Sequence, residues 1–304
     1  MRRNRRLLVR AVLVLTLAGI ITVYAYTFLE NTRPLTPTRA TYVVLPHPDD
    51  EWQVWSQLED TPDEYKIIVL MTRGEETAYC DERWSEECEQ KRLDSFVTFF
   101  SGMSKRDHSI PGHLSYIGSK GPFPTLGYDP HTELTREDDG VVHPANLSAD
   151  VWVDRLNRGA LVVWDFGDGD LTPEEVTWAI KTTQDNREVL GVNPEPEDDR
   201  LIASYANTDF ADCFIYDHPD HVAVRDAVYA AESGFSARLG ATCASDPEAS
   251  VTAQVSDASV QQAFGAGEAF KQAYGWLSPY ELATEGQSKL FMRSQSFWVR
   301  VEGD

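Results

Sequence analysis

Two short segments hold most of the reactive side chains in this chain: His47-Pro48-Asp49-Asp50-Glu51 and His218-Pro219-Asp220-His221. Together they offer three or four metal ligands and a spare carboxylate, the set that hydrolysis of an unreactive bond by an activated water requires. His47 and Asp50 lie three residues apart on a strand-to-helix turn stiffened by Pro48, so both can face one point. Asp49 then aims elsewhere, free to accept a proton from the attacking water. His221 is the natural third ligand, giving two imidazoles and one carboxylate with a position open to water. That arrangement suits Zn2+, although Fe2+ or another divalent ion can occupy the same donors. Glu51, at the helix start, is expected to complement the helix dipole or to support a ligand. His218, oriented by Asp220, could stabilise an oxyanion or protonate a leaving amine, and Tyr216 could donate to the same oxygen. His108, His113, His131 and His143 lack matching spacing and are expected to be solvated. The bland alternative, His-Pro-Asp as an ordinary helix-capping turn, explains either segment alone but not the pair.

Elements must bring these segments together. Tyr42-Val43-Val44-Leu45 reads as a buried strand delivering the first motif, with a helix over 51–58. Residues 65–71 read as a second strand buried on both faces, ending in the polar turn Thr72-Arg73-Gly74-Glu75. A long helix is predicted over 81–100, then irregular, lid-like structure over 101–147 with Tyr116-Ile117 as a strand candidate. Strands are predicted over 160–164 and 213–216, and helices over 172–186, capped by Thr172, and 220–232. An edge strand over 251–255, a helix over 258–274 and a strand over 294–301 complete the pattern. Alternating strands and helices favour an α/β domain with a largely parallel sheet, and ligands collect at the carboxyl ends of such strands.

Residues 1–10 carry five arginines and precede 11–29, nineteen uncharged residues, long enough at helical rise to cross a bilayer. The expected organisation is a cytoplasmic basic segment (1–10), a signal anchor (11–29), a linker (30–40) and a folded domain (41–304) outside the cytoplasm. Secretion after signal-peptide cleavage is the competing reading. Net charge is −22, and beyond residue 30 there are 22 basic against 48 acidic residues. That balance argues against a nucleic-acid partner. Cys80, Cys88, Cys213 and Cys243 form an even set, and proximity suggests Cys80 with Cys88 and Cys213 with Cys243. Buried free thiols remain the alternative.

The segments His47 to Glu51, Thr72 to Glu75, Asp168-Gly169-Asp170-Leu171 and Tyr216 to His221 resemble, in order and rough spacing, the PIG-L/LmbE-like de-N-acetylases. The resemblance implies a Rossmann-like three-layer α/β sandwich without a dinucleotide. It implies zinc on His47, Asp50 and His221, Asp49 as general base, and His218 as oxyanion stabiliser or acid with Asp220 as its orienting partner. Tyr216 matches a position that in some members of the family helps polarise the substrate carbonyl. The implied reaction removes acetyl from an N-acetylglucosamine-type sugar or glycolipid, and the anchor shifts the expectation toward envelope or exported sugars. The chain departs from the family at the bulky Trp52-Gln53-Val54-Trp55 and at Ser95, where a Glu is common. A metal-retaining, non-catalytic carbohydrate-binding protein and an amidase for a non-acetyl amide are the rival functions.

Overall fold

The computed structural model describes residues 33–75, 85–124, 133–135, 142–144, 148–196, 198–208, 214–231, 234–265, 269–274 and 293–301, together with Thr16. The chain divides into Met1–Leu35 and Thr36–Asp304. Apart from Thr16, the expected span 11–29 lies outside the described residues. Among those described, no helix is long and apolar enough to cross a membrane.

In chain order the second unit contains β1 (Arg39–Leu45), a 310 helix (Asp50–Gln57), β2 (Glu64–Leu70), α1 (Glu86–Met103) and β3 (Leu114–Lys120). The short pair β4 (Glu133–Thr135) and β5 (Val142–Pro144) precedes β6 (Ala149–Asp154), β7 (Gly159–Val163), α2 (Pro173–Asp185), α3 (Arg187–Leu190) and β8 (Asp198–Ala203). Then come α4 (Pro219–Ala230), β9 (Ala237–Thr242), β10 (Ala249–Gln254), α5 (Asp257–Phe264), α6 (Ala269–Tyr274) and β11 (Ser294–Val301).

Nine strands form one sheet in the order β10-β11-β9-β8-β1-β2-β7-β6-β3. The five central strands, β9 to β7, pair in parallel, and two antiparallel strands extend the sheet on each side. The sheet is therefore mixed rather than largely parallel. Burial decides which strands are central: every residue of β2 and β7 is buried, as an unbroken apolar strand between two layers must be, whereas the edge strands β3 and β10 are mostly exposed. Alternation along β1 sends Tyr42 and Val44 into a core with α2 and α4, and Val43 and Leu45 into a second core with the 310 helix, α1, α5 and α6. That produces the three layers the resemblance implied.

The strand expected over 213–216 is absent where it can be seen: Cys213 lies outside the described residues, and Tyr216 makes only an isolated bridge to Asn207. The strand that flanks β1 is β8 instead. Its charged start, Asp198-Asp199-Arg200, hid it in the sequence. In the fold those charges are matched across the sheet, Arg39 Nε to Asp198 at 2.9 Å and Arg200 Nη2 to Glu64 at 2.9 Å. The helix expected over 258–274 is broken, since α5 ends at the C-cap Gly265 and α6 begins at Ala269. The Thr172 cap is present as a full capping box with Glu175. Cys88 and Cys243 are both disulfide-bonded, and the expected partners Cys80 and Cys213 lie outside the described residues.

Candidate metal centre

The site forms where four adjacent parallel strands end. Beyond β1 and β2 the backbone stays zipped, with Met71 N donating to Leu45 O at 3.0 Å and Thr72 N to Pro46 O at 3.0 Å. The Thr72 hydroxyl also donates to Pro46 O and accepts from Gly74 N. Gly74 has φ +68°, and a Cβ there would meet Arg92 Nη2 at 2.7 Å, so glycine lets the guanidinium lie against the turn. Arg92 Nη2 in turn donates to Pro48 O at 2.7 Å and lies 3.6 Å from Asp49 Oδ2. The α1 residue that faces this site is thus Arg92, while Ser95 caps back to Lys91 O on the exposed side.

Asp49 adopts φ 100°, in the left-handed region that a non-glycine residue occupies only when its surroundings hold it there. Its N–H donates to Glu51 Oε2 at 3.0 Å. The turn then tightens into a 310 helix, where residues three apart eclipse. Two pairs use that eclipse: Trp52 stacks on Trp55 with ring centroids 5.9 Å apart, and Gln53 Nε2 donates to Asp50 Oδ1 at 2.7 Å. Trp52 and Trp55 are fully buried against Phe264, Phe99 and Phe100. The bulk by which the chain departs from the family at these two positions therefore fills the core.

His47, Asp50 and His221 come together, all buried, with ligand atoms within 4.8 Å of one another. The hydrogen bonds fix the ring orientations. His221 Nδ1 lies 2.8 Å from Tyr205 O and must carry the proton, since a carbonyl only accepts; its Nε2 has no hydrogen-bond partner among the described residues and lies 3.2 Å from Asp50 Oδ2. His47 Nε2 faces Asp220 Oδ2 and Asp168 Oδ1, each at 3.0 Å, leaving Nδ1 3.3 Å from the same Asp50 oxygen. Two imidazole lone pairs and a carboxylate oxygen thus converge, an arrangement that repels itself unless a proton or a cation lies between. A tetrahedral ion holding such donors at about 2.0–2.1 Å separates them by about 3.4 Å, close to the spacing seen. The residues fit a divalent cation.

The surrounding charges agree. Burial opposes ionisation of Asp50, but the imidazoles of His221 and His47 hold its carboxyl well below the usual range. Burial likewise opposes protonation of His47, yet Asp168, Asp220 and Asp50 outweigh it and raise the ring well above an ordinary histidine. Burial pushes Asp49 up to about 6 against the pull of Arg92. Glu51, fully buried, accepts from Tyr274 OH at 2.7 Å and from Asp49 N–H at 3.0 Å, and burial pushes its carboxyl up to about 8.

His218 and Tyr216 sit beside the triad, His218 with its ring 4.8 Å from that of His47 and Tyr216 with its ring 4.5 Å from that of His221. Asp220 holds His218 differently from expectation, through its backbone N–H on His218 Nδ1 at 3.4 Å. The Asp220 carboxylate instead accepts from Gly169 N, Leu171 N and His47 Nε2, binding the 168–171 loop to the ligand. Those three donors also explain why the alternative set His47, His218 and Asp220 is the poorer cation site. Burial, followed by the charge of His47, lowers the His218 pKa, so the ring is neutral; with Nδ1 accepting, its proton is on Nε2. Burial and the charge of Asp50 raise Tyr216 well above an ordinary phenol, which keeps its hydroxyl a donor.

Asp168, whose motif is visible in the sequence, is the second carboxylate on His47 Nε2, a role its spacing alone does not announce. Gln53 likewise joins the site only in the fold, where its Oε1 accepts from Tyr205 N at 2.8 Å. Asp50, Gln53, Tyr205 and His221 therefore form one hydrogen-bonded chain between two ligands. The i, i+3 spacing of Asp50 and Gln53 was the available signal.

No family model and no curated protein matches the sequence. Among solved structures, the N,N'-diacetylchitobiose deacetylase from Pyrococcus horikoshii, complexed with its inhibitor MPG, is similar with a TM-score of 0.42 at 13% identity, over 87% of this chain and 84% of that one. The chemistry of the site follows from its own distances and donors.

Proposed function

We propose that this chain is a zinc-dependent hydrolase that removes the N-acetyl group from an N-acetylglucosamine-type sugar or glycoconjugate. The observation that carries the reading is the convergence of His47 Nδ1 and His221 Nε2 on Asp50 Oδ2, at 3.3 and 3.2 Å, with a further carboxylate, Asp49, left out of the set. When bound, a divalent cation supplies Lewis acidity for the acetamide carbonyl and for the attacking water. Asp49, fixed by its backbone conformation and by Arg92, accepts the proton of that water and passes it to the leaving nitrogen as the C–N bond breaks. His218 Nε2–H and the Tyr216 hydroxyl donate to the oxyanion that develops on the carbonyl, and both are neutral donors that need no reorganisation. Asp168 and Asp220 keep His47 in the tautomer that presents Nδ1 to the cation.

The five arginines before residues 11–29 support an anchored enzyme with its catalytic domain outside the cytoplasmic membrane, or a secreted one if that segment is removed. The proposed pairings, Cys80 with Cys88 and Cys213 with Cys243, suit that compartment. The deciding measurement is acetate release from a panel of N-acetylglucosamine conjugates by the metal-loaded protein. Chelation should abolish release, and Asp49→Asn should lower kcat about 10^2- to 10^4-fold with metal still bound. Silence across the panel with metal bound would sink the proposal.

A further inference from the structure

A cleft of about 310 Å3 lies between α1 and the antiparallel edge of the sheet, lined by Arg73, Gln90, Leu93, Tyr116, Asp150 and Trp152. Strand periodicity builds it. Asp150 and Trp152, two apart on β6, share a face, and Tyr116 is the cross-strand partner of Trp152 on β3. The two rings lie 4.8 Å apart, and Tyr116 OH donates to Asp150 Oδ1 at 3.0 Å, which fixes the ring in place. Tyr116 is nonetheless 55% exposed, the most exposed large aromatic among the described residues. A side chain held by a neighbouring ring and a hydrogen bond, yet more than half exposed, offers a preorganised stacking platform.

The charges say what would stack there. Arg73 places Nη2 2.7 Å from Asp150 Oδ2 and Nε 3.0 Å from Asp165 Oδ2, so its cation is already neutralised. Among the described residues that line the cleft, an anion would find no unpaired positive charge. A neutral ring bearing hydroxyls would find an apolar face beside a carboxylate, a guanidinium and the Gln90 amide, all planar polar groups able to share hydrogen bonds.

Register gives the cleft its relation to the metal centre. Asp150 pairs with Val163, Val163 with Leu70, and Leu70 with Leu45, two residues before His47. Three strand spacings, about 14 Å in all, thus separate the two along the same carboxyl edge of the sheet. Arg73 connects them, since it lies in the turn whose Gly74 packs against Arg92. We propose that this cleft is a distal sugar subsite in which a pyranose ring stacks on Tyr116, so that the substrate is an oligosaccharide whose chain runs along the sheet edge to the metal centre. For its substrate class this inference rests on the deacetylase reading.

The test uses the full chain with Tyr116→Leu, which keeps an apolar side chain on β3 but removes the aromatic face, and Tyr116→Phe, which restores the face. Two quantities are measured: kcat/KM for acetate release from N-acetylglucosamine and from its β-1,4-linked tetramer, and calorimetric binding of the tetramer. Tyr116→Leu should lower the tetramer-to-monomer ratio of kcat/KM about 5- to 10-fold and weaken tetramer binding by a similar factor, and Tyr116→Phe should recover most of both. A ratio and an affinity unchanged in Tyr116→Leu would overturn the subsite while leaving the deacetylase reading intact. Tetramer binding that depends on Tyr116 in a protein that releases no acetate from any substrate would uphold the subsite and remove the deacetylase reading. Failure of the wild-type chain to bind the tetramer would overturn the subsite.

Discussion

Gln53 occupies an unusual position for a residue that touches no substrate in the proposed reaction. Its amide donates to the Asp50 oxygen that faces away from the other ligands, and its carbonyl receives the N–H of the residue whose own carbonyl holds His221. One buried side chain therefore sets the orientation of two ligands, and partners of this kind govern metal affinity. Gln53→Leu, close in volume, should leave the far-ultraviolet circular dichroism unchanged while weakening zinc binding about 10- to 100-fold by competition with a chromogenic chelator. An affinity equal to wild type would show that Asp50 and His221 are positioned without it. The individual ligands were readable in the sequence because His and Asp at this spacing have few other uses. Gln53 was not, because an amide has no chemistry of its own here and acquires a role only from what lies beside it.

Among the elements, β2 carries a charge at an expensive place. Lys66 is buried in a strand whose every residue is buried, its ammonium donating to the carbonyls of Thr61 and Ser109 at 2.8 Å each. Burial lowers its pKa from the ordinary lysine value to about 8. In the unfolded chain the amine holds its proton up to about pH 10.4. Between pH 8 and that value the unfolded state binds more protons than the folded one, so stability from this group rises with pH across the window and the cost is fully present below it. The stability of wild type minus that of Lys66→Met, measured by urea unfolding, should therefore rise by roughly 3 kcal/mol between pH 7.5 and pH 10.5. A flat difference would mean that the carbonyls compensate the buried charge completely. The same strand illustrates what patterning can reveal. The run Ile67 to Leu70 announced a central strand, whereas β8, equally central, was hidden by acidic and basic residues whose partners lie on β1 and β2.

For the molecule as a whole, cation binding and folding should be coupled, because the ligands come from the turn after β1 and the start of α4, 174 positions apart in a chain that must fold to bring them together. Zinc at 100 times its dissociation constant should stabilise the protein by about 2.7 kcal/mol, read as an increase in the thermal midpoint. The increase should vanish in His221→Ala and shrink as pH falls, since the ion must displace the proton on His47 Nδ1, which faces Asp50 and which the surrounding carboxylates favour by raising the ring well above an ordinary histidine. A midpoint that rises equally in His221→Ala would place the bound ion elsewhere. The sequence by itself determined the alternation that builds three layers, the two segments that meet, and the residue types able to grip a cation, because each is written in local spacing or in side-chain chemistry. The tertiary structure alone decided that the sheet is mixed, that β8 flanks β1, that the Asp220 carboxylate serves His47 rather than His218, and that Trp52 and Trp55 are core. Those outcomes depend on which distant strand pairs with which and on competition among several acceptors for one donor, and neither is settled within a few residues of chain.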